Sequence, residues 1–360
     1  MDIVAKTNQL LHSAVEVRAS DIHIVPDDKR IVVKFRIDGT MMEAMRLPLF
    51  TGRKLISHLK FVSGMEVGER RRPQNKRLDM TIANQKISIR VSSFPSTHME
   101  TLVLRLFPEK QSEEIRKLAL FPAQAAHLQK LIHSPHGLIL ICGPTGAGKT
   151  TTLYSLLHDR KQSNENIITL EDPVESPQQG FLQMEINERA GVTYTTGLKS
   201  LLRHDPDLIM IGEIRDRETA EIAISAALTG HLVVSSLHSA TAGGAFKRML
   251  DLGVDLSDLQ EVLRGVVAQK LVELVCPYCK TTCSLHCKKQ RKKRRAALYE
   301  IVMEEELSRA FHSIENNRSY HADISLRDLY RKGVALGFIP IIKEYEYAGA
   351  LLDETRISIG

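Results

Sequence analysis

Two periods of hydrophobic residues divide the first hundred positions of the chain. Over 3–17 the apolar residues fall on one face of a helix, and over 22–37 they mostly alternate with polar residues, as in a strand with one exposed face. Three more strand-like runs follow, at 78–82, 87–91 and 101–106. Residues 1–107 are therefore predicted to form an α+β domain built on a half-buried antiparallel sheet.

The rest of the chain has a different pattern, in which apolar runs alternate with helical segments. Strand-like runs occupy 138–142, 166–170, 208–212 and 231–237, and helical patterns occupy 151–157 and 218–228. This alternation predicts a parallel α/β sheet. The polar stretch 108–118 has no apolar period, and we interpret it as a linker that leads into a second domain over 119–360.

A glycine-rich loop lies between the first strand and the first helix of the second domain. Glycines allow successive N–H groups to curl around phosphate oxygens, and the helix that follows adds its positive end. In this pattern the lysine reaches the β and γ phosphates of ATP and the hydroxyl after it holds Mg²⁺. The predicted nucleotide-binding residues are Gly143, Pro144, Thr145, Gly146, Ala147, Gly148, Lys149, Thr150 and Thr151.

Polar residues follow the other predicted strands of the parallel sheet. They are the segment from Glu171 to Glu175, the segment from Glu213 to Asp216, and His238 with Ser239. The carboxyl ends of parallel strands meet at one edge, so these groups should face the glycine-rich loop. ATP hydrolysis needs a held Mg²⁺, an aligned water and a group that responds to the released phosphate. This set offers candidates for all three tasks.

Two arginines lie inside strand-like segments of the first domain, Arg90 and Arg105. One interpretation is a solvated strand face. The other is that a guanidinium reaches a neighbouring nucleotide and stabilises charge on the transferring phosphoryl group, which is worth about 10³- to 10⁵-fold in rate.

Composition agrees with a globular protein of about two domains, since 43% of the 360 residues are apolar and the net charge is +6. No segment approaches the ~18 apolar residues that cross a bilayer. The five cysteines fit a reducing compartment. Four of them, Cys276, Cys279, Cys283 and Cys287, are spaced as candidate Zn²⁺ ligands, and His286 is an alternative ligand.

The alternative for this element, 276–287, is a mobile loop with four reduced thiols. The basic run that follows it, 288–295, is interpreted as a solvated or partner-binding face, with attraction to a membrane surface as a further option.

Several ordered motifs together resemble the secretion ATPase superfamily, which drives type II secretion, type IV pili and competence pseudopili. The motifs lie at 19–23, 36–39, 69–73, 90–92, 143–150, 168–175, 201–207, 211–216 and 229–238. The resemblance implies a RecA-like P-loop domain behind a smaller PAS-like α+β domain, and a homo-hexameric ring that hydrolyses ATP with Mg²⁺.

The resemblance also implies roles for single residues. Arg90 and Arg105 match the family's arginine fingers. Glu175 corresponds to the residue that polarises the attacking water and Glu213 to the organiser of Mg²⁺ and water, although either could be the base. His231 and His238 match the family's γ-phosphate sensors. Asn75 and Lys76 depart from the family's usual Asp-Gly, a change expected to alter only a hairpin turn.

Within this superfamily, the short amino-terminal region and the cysteine element are most similar to the assembly motors of competence pseudopili, which serve DNA uptake. This implies a cytoplasmic protein held peripherally at the inner face of the membrane by a platform protein. Two other functions stay open, a ring-shaped nucleic-acid translocase and a scaffold regulated by nucleotide. Direct nucleic-acid binding is not expected, because the chain has no tryptophan and few other aromatic residues for stacking.

Overall fold

The computed structural model describes residues 2–96, 99–108, 113–161, 165–279, 283–291, 293–316 and 318–341. Two compact units divide the chain. The first comprises Met1–Lys110 and Thr282–Arg294, and the second comprises Gln111–Thr281 and Arg295–Gly360. No helix among the described residues is long and apolar enough to cross a membrane.

The first unit is built on a six-stranded antiparallel sheet in the order β3-β2-β1-β6-β5-β4. One face of the sheet is apolar and forms a core with the two longer helices. The elements of this unit are α1 (Ile3–Glu16), β1 (Asp21–Pro26), β2 (Arg30–Ile37), β3 (Thr40–Pro48), α2 (Leu49–Val62), β4 (Gln74–Ile82), β5 (Gln85–Phe94), β6 (Thr101–Pro108) and, after a long excursion of the chain, α10 (Leu285–Gln290). The predicted α+β architecture is confirmed.

Two turns of this sheet show how local sequence sets the strand order. Asp38 and Gly39 join β2 to β3, and both have positive φ, 54° and 87°, as a tight hairpin requires. The β4–β5 hairpin turns at Ala83 and Asn84, which also have positive φ. Asn75 therefore lies inside β4, paired with Ser92, and the prediction that it affects a hairpin turn was wrong.

The segment 282–294 belongs to the first unit, whereas the sequence placed it in the second domain. Leu285 packs against the first core. Arg294 Nε lies 2.8 Å from a carboxylate oxygen of Asp38, and Lys288 Nζ lies 3.5 Å from the same oxygen. All three side chains are largely buried. A buried carboxylate needs such counter-charges. Lys288 and Arg294 therefore pack inside the unit and do not belong to the solvated or partner-binding face that was predicted for the run.

The second unit contains a seven-stranded sheet in the order β13-β12-β7-β11-β10-β8-β9, parallel except for β13. Its elements are α3 (Ile115–Leu118), α4 (Pro122–Ile132), β7 (Gly137–Cys142), α5 (Lys149–Arg160), β8 (Ile167–Glu171), β9 (Leu182–Glu185), a 3₁₀ turn (Glu188–Ala190), α6 (Tyr194–Leu201), β10 (Leu208–Ile211), α7 (Arg217–Leu228), β11 (Leu232–Leu237), α8 (Ala242–Asp251), α9 (Leu256–Val262), β12 (Leu263–Glu273), β13 (Arg295–Met303), α11 (Glu304–Glu315) and α12 (Leu326–Ala335).

Helices cover both faces of this sheet, and each face carries its own apolar cluster. The strands β7, β8, β10 and β11 are buried along their whole length, which explains why they appear in the sequence as unbroken apolar runs. Residues 109–112 of the predicted linker lie outside the described residues. Ile115 is buried in the second unit's core, so the end of that segment forms part of the second unit.

Candidate functional site

The glycine-rich loop leaves the carboxyl end of β7, as its sequence position predicts. Gly143, Gly146 and Gly148 have φ values of 157°, 80° and 86°, a region that side chains with a Cβ rarely adopt. A Cβ on Gly143 would lie 2.5 Å from the carbonyl oxygen of Gln269. Gly143 and Gly148 are therefore required both by backbone conformation and by the close approach of the neighbouring strand β12, and Gly146 by backbone conformation alone.

Lys149 opens α5 directly after the loop, and Thr150 and Thr151 lie in the first turn of that helix. The Lys149 ammonium donates to the carbonyl of Gly143 at 2.7 Å. Burial lowers the pKa of Lys149, an effect that nearby Cys142 and Glu175 partly oppose. The hydrogen bond to Gly143 thus holds Lys149 against the loop, within reach of the charge of Glu175.

A cluster of charged side chains lies where β10 and β11 end. His238 Nε2 is 3.2 Å from Glu213 Oε2. Arg215 contacts the other oxygen of Glu213 and lies 3.6 Å from Asp172, which follows β8. Burial lowers the pKa of His238, and the charges of Lys149, Arg215 and Arg248 lower it further. Burial and these charges therefore favour the neutral form of the imidazole.

The end of β8 is anchored by a buried carboxylate, Glu171. Its oxygens accept hydrogen bonds from Thr169 at 2.6 Å, from Gln183 at 2.9 Å and from the hydroxyl of Tyr154 on α5. Burial raises the pKa of Tyr154, and the charges of Glu171 and Glu175 add to the effect. Glu171 therefore fixes the start of the loop that carries Glu175, which itself is exposed near Lys149 and Tyr154.

His231 lies away from this cluster. Strands β7 and β11 are parallel, with Leu232 opposite Gly137 and Leu237 opposite Cys142. The strand of about 20 Å therefore separates His231 from the glycine-rich loop. Its ring nitrogen Nδ1 lies 3.1 Å from the carbonyl of Ala226 near the end of α7. The direction of β11 thus contradicts a γ-phosphate sensor role for His231 at its own subunit's loop.

Arg90 and Arg105 lie directly opposite each other on β5 and β6 of the first unit. Arg105 Nε is 2.8 Å from Asp21, a carboxylate that is 4% exposed. Arg90 stacks over the ring of Phe107, 5.0 Å from its centre. The two arginines share one polar sheet face, and each is held by a different partner.

The four cysteines lie within twelve residues of one another in the chain. Cys276 and Cys279 belong to the second unit, and Cys283 and Cys287 belong to the segment of the first unit that follows. Thiolates in this number are the ligands of a tetrahedral Zn²⁺ site, with Zn–S bonds of about 2.3 Å. The backbone N–H of Cys279 also donates to Cys276 Sγ at 3.4 Å. The donor set fits zinc, and the fourth position does not require His286.

Three groups of the site were not assigned roles from the sequence. Arg215 joins Glu213 to Asp172, the Tyr154 hydroxyl binds Glu171, and Gln269 contacts the glycine-rich loop. The position of Arg215 near the site could be predicted, because it follows the end of a predicted strand. The other two come from the middle of a helix and a strand, and no local pattern distinguishes them from ordinary buried polar residues.

Comparison with known proteins gives consistent matches over nearly the whole chain. The family model described as type II/IV secretion system protein matches residues 2–344. The competence protein ComGA of Bacillus subtilis (strain 168) is 43% identical over 342 residues, which cover 94% of this chain and 96% of that protein. Type II secretion system protein E of Aeromonas hydrophila is 42% identical over 279 residues, 77% of this chain and 56% of that one.

Solved structures share the fold. The ATPase DotB of Legionella pneumophila superposes with a TM-score of 0.74 at 20% identity, covering 97% of this chain and 96% of that one. The pilus retraction motor PilT, solved with bound ADP, has a TM-score of 0.66 at 25% identity and covers 94% and 96% of the two chains. The predicted RecA-like P-loop fold, preceded by an antiparallel α+β domain, is confirmed.

Proposed function

The chain belongs to the type II/IV secretion system protein family and is a secretion ATPase, and from this premise we propose that it powers assembly of a competence pseudopilus used for DNA uptake. The observation that carries the proposal is the similarity to ComGA, which extends over nearly the full length of both chains. Relatives of the type II secretion class match a smaller part of their own length.

In the proposed reaction, the loop N–H groups and Lys149 hold the phosphates of ATP. The Thr150 hydroxyl and the Glu213 carboxylate are oxygen donors of the kind that Mg²⁺ takes. Bound there, the ion would neutralise charge that develops between the β and γ phosphates. Glu175 aligns and deprotonates the attacking water. The Nε2–H of His238, which lies 3.2 Å from Glu213 in this structure, would turn from that carboxylate to the γ phosphate.

The motor is proposed to act as a homo-hexamer in the cytoplasm, held peripherally at the inner membrane face by a platform protein. Arg90 and Arg105 would then complete a nucleotide site, and hydrolysis would move the platform in steps. This proposal is supported by the two arginines on one polar sheet face, where each is preoriented by Phe107 or Asp21.

Specific ATPase activity is expected to rise cooperatively with protein concentration and then reach a plateau, because a site shared within a ring forms only on assembly. Mg²⁺-dependent phosphate release per chain, measured over a wide concentration range beside light scattering, checks this. Lys149→Ala is the control for contaminating activity. A constant rate per chain, with a monomer by scattering, would contradict the ring.

The same assay separates the two other functions. A nucleic-acid translocase would be stimulated strongly by added DNA or RNA, and the stimulation would fall steeply with salt. A scaffold regulated by nucleotide would bind ATP without turnover. We expect neither. The chain has no tryptophan and few other aromatic residues for base stacking. Glu213 beside His238 and Glu175 near Lys149 offer the groups that turnover needs.

We also propose that the four clustered cysteines bind a structural Zn²⁺. Chelation of a zinc-loaded sample is expected to lower the melting temperature by several degrees, because metal binding energy contributes to folding where the site does not preform. Metal content by mass spectrometry and a melting curve with and without chelator provide the measurement. Cys142→Ser, a buried thiol outside the cluster, should retain stoichiometric zinc, whereas Cys279→Ser should lose it. The site would be ruled out if the purified protein contained no zinc and its melting temperature did not change when Zn²⁺ was added.

A further inference from the structure

Strand β12 runs beside β7 and continues past the point where β7 ends. The register pairs Ala268 with Cys142, the last residue of β7. The next residue of β12, Gln269, is therefore level with the first glycine of the phosphate-binding loop. It is 1% exposed, and its backbone carbonyl is the group that a Cβ on Gly143 would strike.

The side chain of Gln269 also contacts the loop. Its amide nitrogen Nε2 donates a hydrogen bond of 2.7 Å to the carbonyl oxygen of Ala147. The same nitrogen would lie 3.2 Å from a Cβ on Gly148. One buried glutamine thus approaches the loop at both its first and its last glycine.

This hydrogen bond controls the direction of one peptide group. In a planar trans peptide the C=O of one residue and the N–H of the next point in opposite directions. Holding the Ala147 carbonyl toward β12 therefore turns the Gly148 N–H away from β12. That N–H is one of the loop donors expected to surround a phosphate.

Gln269 is an unfavourable residue for packing alone. Its Oε1 is buried, with no hydrogen-bond partner among the described residues. A buried acceptor without a partner destabilises the fold, and an apolar side chain of equal length would avoid this. The contribution of Gln269 is therefore the hydrogen bond that its other amide atom, Nε2, donates to the loop.

We propose that Gln269 is a positioning residue for phosphate binding, which keeps the Ala147–Gly148 peptide turned so that its N–H faces the nucleotide. The inference rests on the proposed ATPase site, and it adds a residue that acts through the loop without touching the nucleotide. A phosphate contact that is already made in the bound state changes Kd and KM, whereas a contact made only in the transition state changes kcat. The test therefore compares these quantities.

Gln269→Met keeps the length of the side chain and removes the donor. We expect the Kd for ADP, measured by titration calorimetry, to rise about tenfold, as for loss of one oriented hydrogen bond to a charged group. The KM for ATP should rise in parallel, with kcat changed by less than about threefold, because the contact is equal in ground and transition states.

Gln124→Met is the matched control. Gln124 is also a buried glutamine whose Oε1 has no partner among the described residues, but its Nε2 donates to the carbonyl of Tyr299 on β13, which lies on the other side of β12 from the strand that leads into the loop. We expect Gln124→Met to leave the ADP affinity unchanged even where it lowers the melting temperature. If Gln269→Met does not fold, Gln269→Leu replaces it, since it also removes the amide donor and adds no charge beside the loop.

A folded Gln269 variant that binds ADP within about twofold of the wild type would overturn this inference while leaving the proposed function intact. Failure of the wild-type chain to bind ADP or hydrolyse ATP would instead contradict the proposed function itself. The positioning role of Gln269 would also be overturned if a variant lost kcat with no change in ADP affinity. Such a result would place the effect of the residue in the chemical step.

Discussion

Replacing Glu175 by Gln should lower kcat for ATP hydrolysis by about 10²- to 10³-fold while ATP still binds, the size expected when a general base is removed. Glu175 is exposed and close enough to Lys149 to affect the pKa of that lysine. Its loop starts from Glu171, which three hydrogen bonds hold in place. Single-turnover hydrolysis and equilibrium binding of ATP, measured on the same preparation, test the separation of the two effects.

Glu213→Gln is the comparison that assigns the two carboxylates. Glu213 contacts Arg215 and His238, an environment suited to organising charge around the phosphates. Its substitution should raise the Mg²⁺ concentration needed for half-maximal activity, whereas Glu175→Gln should leave that requirement unchanged. If Glu213→Gln loses activity at every Mg²⁺ concentration and Glu175→Gln keeps it, the roles are reversed.

Arg90→Ala should slow turnover by about 10³-fold, at the lower end for an arginine finger, with a much smaller change in ATP affinity. The charge that a finger stabilises appears mainly in the transition state. The guanidinium of Arg90 lies against the ring of Phe107, so its position is set before a nucleotide arrives. The measurement is kcat and ATP Kd at a protein concentration on the activity plateau.

The structure supplies a matched arginine for this test. Arg77 on β4 lies directly opposite Arg90 in the sheet and forms an ion pair with Asp79 at 3.3 Å. Arg77→Ala removes an equal charge from the same sheet face, and we expect it to change kcat by less than about threefold, as for an exposed surface residue. Equal losses in the two variants would indicate a general effect of charge on this face and would contradict the finger.

A row of charged residues crosses the first unit's sheet, and only the strand register reveals it. Arg77, Arg90, Arg105, Asp21 and Arg36 occupy successive opposing positions on five strands. Asp21 is buried, which by itself would raise its pKa, but hydrogen bonds from Arg105 and Ser20 lower it overall. In the sequence these residues are up to 84 positions apart, so their alignment could not be predicted without the pairing of the strands.

Much of the fold was predictable because its signals are local. The apolar run before the glycine-rich loop became β7, and the helical pattern from Glu218 became α7 within one residue. The loop itself depends on the backbone freedom of glycine, which is a property of residue type alone. The acidic segments after β8 and β10 leave the sheet at the same edge as the loop after β7, because parallel strands end at one edge.

The sequence by itself determined the two classes of sheet, the phosphate-binding loop and the carboxylate set, because periodicity and residue type act within a few neighbours. The tertiary structure alone decided three matters: that His231 lies at the far end of β11, that 282–294 packs with the first unit around Asp38, and that Gln269 holds Ala147. Each depends on strand direction, register or pairing of a buried charge. Such contacts join residues far apart in the chain, and their energies are realised only when the whole domain packs.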